Sequence, residues 1–557
     1  MRNAADFRGA SIVERIQAAI LDCGADPCQV YVPAGTYQAS SISTWNSRDS
    51  GGTRIGILLP SNVEIYGASP GHTIIRVDRT AADPTATLLA NANELNRNIH
   101  IHDMTIVWTD AARSFDWVSI FICHGCDQVE LDHLSLEGNP NKLVNLLDST
   151  GSNIHDNNFI LHSTGYGHGD NALGISRFDP KKSVGAEAGV VRDNHFGQIG
   201  DFRVFSMLIV AQSGVFVHSN VFEAALWREG GNATAIETGQ DNLGRLPERV
   251  KISENVFRRT SIAHGGLNSS EITSNFFDHG DIYIAMQEGS TSSTTGVTIA
   301  DNEVHFGSIS IAGLEHIFTG RYLVTNNRVF DGGIGVGNSL IVGDVEVISN
   351  TVKYSRNNNG IDCNSCSVIR GNLVQDIGQN GPNDLHAGYL IGGTVVDVSG
   401  NIYIDDQHDY SAGTICSVAS LTSQSCMTSG RSRWVRVRGG EWGFGWGNRT
   451  LFLERGSEPI RAFPTSHVLE LDDEMDVLPA GTIYHLSRTT FNGFEINAAT
   501  IDRFADNVAI SGSGSFNHAA IQEDGTVTIR NLSGNVFHPY KCYGRCALNY
   551  MGTVAAQ

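Results

Sequence analysis

The sequence predicts an all-β parallel β-helix, with a capping helix at its N-terminus and a β-rich element appended near its C-terminus. A short, apolar, glycine-dotted segment recurs through residues 145–394, for example as NALGISR (171–177) and SISIAGL (308–314). An Asn-x-[Phe/Val/Tyr] unit recurs between these segments. Units that recur every 20 to 37 residues are typical of solenoids, in which each coil buries its apolar face against its neighbours.

The recurring asparagines are separated by 20 to 37 residues. They are Asn157, Asn194, Asn220, Asn255, Asn275, Asn302, Asn327, Asn350, Asn372 and Asn401. The segment VKISENVF (250–257) alternates apolar and polar residues before its Asn, which indicates a half-buried strand. Because asparagine tolerates the left-handed conformation and bonds to nearby backbone, we expect these residues to occupy bends in that conformation and to form a structural ladder.

Composition limits the partners of the chain. At 557 residues it exceeds the usual size of a single core, but the core of a solenoid grows in one dimension. Its 61 glycines and its 17% of charged residues suit many tight turns. The net charge of −21 argues against nucleic acid or an anionic membrane as a partner, and it mildly disfavours a polyanionic substrate. No segment is apolar enough to span a bilayer.

The ten cysteines fall into five close pairs. These are Cys23/Cys28, Cys123/Cys126, Cys363/Cys366, Cys416/Cys426 and Cys542/Cys546. Local disulfides formed in an oxidising compartment would account for all five pairs, whereas zinc would account only for the two CxxC pairs. We therefore expect a mature secreted chain, extracellular or periplasmic, whose signal peptide has been removed or was not cloned.

The N-terminus predicts a cap. Ser11 and Glu14 have the spacing of a capping box. The helix should run to about Leu21, with Ile12, Ile16, Ala19 and Ile20 on one side and Gly24 at its end. A helix here would cover strand edges that would otherwise template aggregation.

The segments VYVPAGTY (30–37) and ILLPSNVEIYGASPGHTIIRV (57–77) follow this helix. Together with the helix they resemble the N-terminal segment of the pectate-lyase-like superfamily of right-handed β-helices. Polygalacturonase-related and fungal glucanase-type enzymes begin with a similar segment. The coil repeat extends the resemblance to about 400 residues. The resemblance implies a right-handed coil and a carbohydrate-active protein. The superfamily includes hydrolases, lyases, uronate epimerases and phage tailspikes, so the chemistry must come from the site.

The repeat also predicts how the chain is divided. We expect residues 1–429 to form the capped β-helix, residues 430–490 an appended or inserted β-rich element, and residues 491–557 closing coils with a C-terminal cap. Long gaps between the early asparagines contain inserted segments at 165–172 and 227–245. Such insertions usually map to loops on one face of a solenoid, often the binding face.

Glycoside hydrolysis requires two carboxylates on either side of the bond. Aligning residues 235–237 with residues 262–264 stacks Glu237 on His264. The same alignment places Glu288 two coils from Glu237, at roughly 9–10 Å, the upper edge of the inverting range. The candidate catalytic acids are Glu237, Glu288, Asp241, Asp170 and Asp201.

Candidate substrate-binding residues lie mainly in the inserted segments. Trp227 could form a stacking platform for a sugar ring, and Arg228 could donate to a hydroxyl. His264, Glu229, Arg177 and Lys181 complete the set. For each of them the alternative is a surface or loop-packing residue.

Three functions remain open from the sequence. The first is a glycoside hydrolase, or a related glycosyl-transferring enzyme, on a mostly neutral poly- or oligosaccharide. The second is a lyase or epimerase on an acidic glycan, in which a cation would neutralise an enolate; the candidates are Arg177, Lys181, Lys182 and Arg203. The third is a non-catalytic glycan-binding β-helix such as a tailspike or adhesin. No cofactor or metal is expected, and the oligomeric state, including a homotrimer, stays open.

Overall fold

The computed structural model divides the chain into two compact units. Unit 1 comprises Met1–Phe276 and Ile284–Val297, and unit 2 comprises Phe277–Tyr283 and Thr298–Gln557. The structure describes residues 1–39, 41–45, 47–48, 52–80, 85–92, 95–110, 119–139, 141–162, 171–177, 189–199, 206–224, 233–239, 245–263, 266–285, 296–312, 320–337, 344–355, 359–377, 387–405, 413–420, 425–438, 449–453, 456–465, 468–477, 480, 482–486, 492–511, 519–538 and 542–543. Both units consist of right-handed parallel β-helix coils, which confirms the predicted fold class.

One α-helix, Ile12–Cys23, caps unit 1. Ser11 Oγ accepts a hydrogen bond from the Glu14 amide at 3.4 Å, and Gly24 ends the helix with a φ of 65°. The buried residues of the helix include the four apolar positions predicted to share one side. Gln17 Oε1 accepts a hydrogen bond from the Leu58 amide at 2.7 Å. The helix therefore covers the edge of the first coil and also accepts a hydrogen bond from one of its backbone amides. The predicted cap is confirmed.

Each coil of unit 1 contributes strands to three faces. The first face contains Arg54–Leu59, Ala86–Asn91, Ser119–His124, Lys142–Leu147, Asn171–Ser176, Leu208–Ala211, Ala233–Thr238 and Thr260–Ala263. The second face contains Cys28–Tyr31, Val63–Tyr66, Arg97–His102, Asp127–Asp132, Ser152–His155, Gly189–Arg192, Val215–His218, Lys251–Ser253 and Ser270–Thr273. The third face contains Gly35–Gln38, Thr73–Arg79, Thr105–Asp110, Ser135–Gly138, Asn158–His162, His195–Ile199, Val221–Glu223 and Val256–Arg258. Short elements are Arg2–Asn3, Ser47–Arg48 and the 3-10 turns Ala4–Asp6 and Ile42–Thr44.

Unit 2 repeats the three faces and adds a closed barrel. Its first face contains Ile309–Ala312, Ile334–Gly337, Ile361–Cys363, Ala519–Asp524 and Cys542–Tyr543, and its second face Arg321–Thr325, Asp344–Ile348, Val368–Arg370 and Thr528–Ser533. The long strands Ala387–Ser399 and Asn492–Ala505 run through both faces. The third face contains Glu303–His305, Arg328–Phe330, Thr351–Lys353, Leu373–Gln375, Ile402–Asp405, Val508–Ser511 and Val536–His538. The strands Phe276–Asp278, Ile282–Ala285 and Val297–Ala300 contribute residues to both units.

The barrel consists of six antiparallel strands. They are Gly413–Val418, Arg431–Arg438, Arg449–Leu453, Gly456–Thr465, Val468–Asp476 and Thr482–Leu486. The predicted β-rich element is therefore present between coils of unit 2. The predicted domain boundaries at residues 429 and 490 stay a prediction.

The recurring asparagines form buried ladders, as predicted. In unit 1 the backbone amide of Asn157 donates to Asn194 Oδ1 at 3.0 Å, and the same bond repeats along the ladder to Asn275. In unit 2 the ladder runs from Asn302 through the later coils and across the barrel insertion to Asn535. These side chains replace strand hydrogen bonds at the bends, where a buried backbone group would otherwise lack a partner.

The predicted left-handed conformation of these asparagines is wrong. The residue before each Asn has the positive φ, for example Asp156 at 55° and Ser219 at 56°. Asn157 and Asn220 themselves are 3% and 0% exposed. The preceding residue turns the chain, and the Asn side chain then enters the core, where it bridges successive coils.

The core is stacked in the same one-dimensional way. In unit 1 the rings of Phe159, Phe196, Phe222 and Phe257 lie 4.7–5.1 Å apart in consecutive coils. The predicted local disulfides are confirmed for Cys23–Cys28, Cys123–Cys126, Cys363–Cys366 and Cys416–Cys426. Cys546 of the fifth predicted pair lies outside the described residues.

Asp281 in unit 2 provides a test of buried charge. Its Oδ1 accepts a hydrogen bond from the Ser308 amide at 2.8 Å, and burial raises the pKa of its carboxyl to about 6 against the opposing effect of that bond. Because the pKa of this carboxyl is higher in the folded than in the unfolded protein, its ionisation destabilises the fold. The loss of free energy of unfolding begins above the unfolded-state pKa and is complete once the pH exceeds about 6. We expect Asp281→Asn to raise the free energy of unfolding by ~1–3 kcal/mol at pH 8, because the amide oxygen remains an acceptor without a buried charge. Urea midpoints at pH 8 and pH 4.5 measure this effect; an equal gain at both pH values would contradict it.

Candidate functional site

Two of the predicted site residues, Glu237 and Arg177, are described by the structure. Glu288, Asp241, Asp170, Asp201, His264, Trp227, Arg228, Glu229 and Lys181 lie outside the described residues, and their roles stay predictions. Arg177 follows the first-face strand Asn171–Ser176, and its amide donates to the Ala211 carbonyl at 3.2 Å.

Glu237 lies on the first face of unit 1, where it is half-buried and its neighbour Ile236 is fully buried. Adjacent strand residues point to opposite sides, so Glu237 points out of the core. Its partner in the next coil is Ala263, because the pairing is irregular between Thr234 and Ile236. The predicted stacking of Glu237 on His264 is therefore wrong by one residue.

Lys142 is a cation on the same face, and its role was not predicted from the sequence. Burial lowers the pKa of its amine, and the charge of Glu237 acts in the opposite direction. Lys142 Nζ donates to Asn145 Oδ1 at 3.4 Å. Gly174 pairs with Asn145 in the next coil, and a Cβ there would approach both Nζ and Oδ1 to 3.1 Å. The absence of a side chain at Gly174 makes room for this lysine.

A pair of carboxyl groups lies on the first face of unit 2. Asp362 pairs with Leu390, and Leu390 pairs with Glu495 in the following coil. All three residues are half-buried and alternate with fully buried neighbours, so they form one outward-facing column. Two strand spacings of roughly 4.8 Å separate the backbones of the two acids by about 9.6 Å.

Amide groups hold the Asp362 carboxyl from both sides. Asn359 Nδ2 donates to Asp362 Oδ2 at 3.1 Å, and Asn364 Nδ2 donates to Oδ1 at 2.9 Å. Burial raises the pKa of Asp362, and the Asn359 hydrogen bond acts in the opposite direction. Both amide donors favour the ionised form and so oppose the effect of burial on this carboxyl.

Acidic neighbours surround the Glu495 carboxyl instead. Burial raises the pKa of Glu495; the hydrogen bond from Asn492 Nδ2 at 3.0 Å lowers it, and the charges of Asp524 and Asp362 raise it further. The Asn492 amide also donates to Gln522 Oε1 at 2.7 Å. Its buried Oδ1 has no hydrogen-bond partner within the part of the chain that the structure describes. Glu495 is thus equipped to keep its proton and donate it.

This pair of acids was not predicted from the sequence. Asp362 lies in one of the recurring segments, GIDCNSC, but Glu495 follows the barrel insertion, where the repeat was interrupted. An alignment of the coils on their asparagines would not have paired the two acids, because Asp362 lies ten residues before Asn372 and Glu495 twelve residues before Asn507.

Residues able to hold a metal ion lie on the second face of unit 1. Two triads of ligand atoms, each within 4.8 Å of one another, consist of Glu64, His100 and His102, and of His100, Glu130 and Asp132. Both triads lie within the described part of the chain. In that part of the chain, no helix has the length and apolar character needed to cross a membrane.

The chain is similar to solved structures of the tailspike protein of E. coli bacteriophage HK620. A mutant of that protein in complex with a pentasaccharide has a TM-score of 0.50 at 9% identity, covering 87% of this chain and 93% of that chain. The tailspike protein in complex with a pentasaccharide and a double mutant both have a TM-score of 0.48, at 10% and 11% identity, with the same coverage. At these identities the likeness concerns the fold alone. No family model and no curated protein matches the sequence.

Proposed function

We propose that this protein is a carbohydrate-active β-helix that binds a poly- or oligosaccharide and hydrolyses its glycosidic bonds. The observation that carries the proposal is the Asp362–Glu495 pair. Two carboxyl groups share an outward column; burial raises the pKa of both, and neighbouring acids raise that of Glu495 further.

Glu495 is the proposed general acid and Asp362 the proposed general base. The neutral Glu495 carboxyl would protonate the leaving oxygen, while the ionised Asp362 would remove a proton from the attacking water. The backbone separation of about 9.6 Å is nearer to the carboxyl separation of inverting glycosidases, about 6.5–9.5 Å, than to the roughly 5–5.5 Å of retaining ones, and therefore favours inversion at the anomeric carbon. The proposal thus keeps the predicted two-carboxylate chemistry and places it in unit 2.

Two further observations support a glycan as the ligand. The column before Asp362 consists of Ser310 and Gly335, so no large side chain stands next to the acids in the two preceding coils. The net charge of −21 favours a mostly neutral glycan over a polyanion. The neighbour of similar fold that is in complex with a pentasaccharide is consistent with an oligosaccharide ligand on such a scaffold.

A product assay tests this proposal. The purified chain is incubated with a panel of neutral and uronic-acid glycans, and the products are separated and checked for ultraviolet absorbance. We expect saturated oligosaccharides from a neutral glycan. Release of unsaturated ends from a uronate polymer would contradict hydrolysis, and the absence of both cleavage and binding across the panel would contradict the glycan ligand.

A lyase is the second candidate, and Lys142 is the observation that favours it. Burial lowers the pKa of this lysine, which brings its neutral amine closer to working pH, as a base for proton removal α to a carboxylate requires. If the protein is a lyase with Lys142 as its base, Lys142→Met would abolish the formation of unsaturated products. The same variant leaves hydrolysis by the Asp362–Glu495 pair unchanged.

A further inference from the structure

Glu64, His100 and His102 form a compact cluster on the second face of unit 1, which we call the acid–imidazole cluster. Glu64 pairs with His100 in the next coil, and His102 lies two residues further along the same strand. His102 Nε2 lies 3.1 Å from Glu64 Oε1. The proposed hydrolase does not use these residues.

The strand itself brings both imidazoles to one side. Alternate residues of a strand share a face, so His100 and His102 point outward while Ile99 and Ile101 are buried in the core. The two rings stack at 4.2 Å, and the ring of Tyr66 stacks on His102 at 5.2 Å. This packing restricts the ring orientations before any ligand arrives.

Each imidazole has a second carboxylate against one of its ring nitrogens. His102 Nδ1 lies 2.8 Å from Asp103 Oδ2, and His100 Nε2 lies 2.5 Å from Asp132 Oδ2. A carboxylate on the far side of a metal-binding imidazole fixes its tautomer and its ring orientation. Other histidines also pair with carboxylates, for example His155 with Asp156 and Glu130. Here two such imidazoles offer ligand atoms within 4.8 Å of each other and of the Glu64 carboxylate, which is the spacing that a metal ion requires.

The carboxylate of the cluster is oriented in the same way. Gln29 Nε2 donates to Glu64 Oε2 at 2.7 Å, while Oε1 faces His102. Glu64 and His100 line a cavity of about 450 Å³, which opens a route for an ion from solvent. Glu64 and His102 are 30% and 15% exposed, so the ligand atoms are partly shielded from water and still reachable.

We propose that Glu64, His100 and His102 bind one divalent transition-metal ion of the Zn²⁺ type. Two imidazoles and one carboxylate suit zinc and its first-row neighbours, whereas Ca²⁺ prefers six or more oxygen ligands. The ligands come from two successive coils, Val63–Tyr66 and Arg97–His102, so the ion links one coil to the next. The metal thus stabilises the N-terminal coils of unit 1.

The neighbouring triad of His100, Glu130 and Asp132 shares one histidine with this site. It offers one imidazole fewer, and Glu130 Oε1 already lies 3.2 Å from His155 Nε2 and accepts from Asn153 at 3.1 Å. We therefore assign the ion to Glu64, His100 and His102.

Metal binding is measured on the full chain without a polyhistidine tag, because such a tag would itself bind Zn²⁺. Bound ions are first removed with a chelator. Zn²⁺ is titrated by calorimetry, the metal content is determined by mass spectrometry, and the melting temperature is followed with and without Zn²⁺. We expect about one Zn²⁺ per chain, no comparable binding of Ca²⁺, and a higher melting temperature with the ion because only the folded state presents the site. Co²⁺ in place of Zn²⁺ should show the visible absorption of a site with nitrogen ligands.

Variants locate the ion. His102→Gln and Glu64→Gln should each weaken Zn²⁺ binding by about 100-fold or more, and Asp103→Asn by about 10-fold because it only orients His102. His218→Gln is the matched control. His218 lies in the same column of paired residues as His102, four coils further along the solenoid. Its ring contacts Ser219 and Phe216. Its Zn²⁺ affinity should equal that of the unmodified chain.

Three outcomes overturn the proposal. One is that the metal-free chain takes up no Zn²⁺, which needs no variant and is independent of folding defects. Another is that Glu64→Gln and His102→Gln, with far-ultraviolet circular dichroism unchanged, bind as tightly as the unmodified chain. The third is that Glu130→Gln loses the ion while Glu64→Gln keeps it, which would move the ion to the neighbouring triad.

Discussion

Glu495→Gln and Asp362→Asn should each lower kcat on the cleaved glycan by about 10²–10⁴-fold, the usual contribution of a positioned acid or base. The glutamine cannot donate a carboxyl proton and the asparagine cannot accept one. Both replacements keep the size of the side chain, so the KM for the glycan should change little. Initial rates over a range of glycan concentrations measure the two parameters separately.

Glu346→Gln is the matched control for these variants. Glu346 lies on the second face of unit 2, where it forms an ion pair with Arg321 at 3.1 Å, away from the Asp362–Glu495 column. Its kcat should equal that of the unmodified chain. Activity should also fall on the alkaline side as Glu495 loses its proton, and the first product should have the inverted anomeric configuration by NMR. If both variants keep more than half of the activity, the pair is not the catalytic one and Glu237 becomes the acid to test.

Asn157→Ala should lower the free energy of unfolding by roughly 2–4 kcal/mol, because it leaves buried backbone groups without partners. Asn157 Oδ1 accepts from the Leu134 amide at 2.9 Å, and its Nδ2 donates to the Leu131 carbonyl at 2.8 Å and to Asn194 Oδ1 at 3.0 Å. An alanine cannot replace any of these bonds. Urea denaturation followed by far-ultraviolet circular dichroism measures the shift of the midpoint.

The adjacent Asn158 is the control for the ladder. It is half-buried, and its side chain reaches Ser135 Oγ at 3.4 Å and His195 Nδ1 at 2.8 Å on the third face. Asn158→Ala should cost less than about 1 kcal/mol, since water can replace partners on a partly exposed side chain. Equal losses for the two alanine variants would show that the ladder has no special weight in stability.

The sequence by itself determined the features whose causes are local or repeated. Ser11, Glu14 and Gly24 specify the capping helix through contacts within a few residues. The close cysteine pairs can reach only each other without long loops, and four of them are bonded as expected. The coil was readable because every turn of the solenoid repeats the same pattern of buried residues and an Asn. Even there the left-handed conformation was predicted one position too late. At each bend the residue before the Asn has the positive φ, and the Asn that follows it directs its side chain into the core.

Only the tertiary structure decided which chemically useful side chains meet. Asp362 and Glu495 share a column because the chain leaves the coil, builds the six-stranded barrel and returns in register. An irregular pairing of one residue placed Glu237 beside Ala263. The acid–imidazole cluster combines a His-x-His strand with an acid from the previous coil. In a solenoid the distance between side chains depends on register between coils, and a shift of one residue moves a side chain to the other face; sequence spacing does not encode that register across insertions.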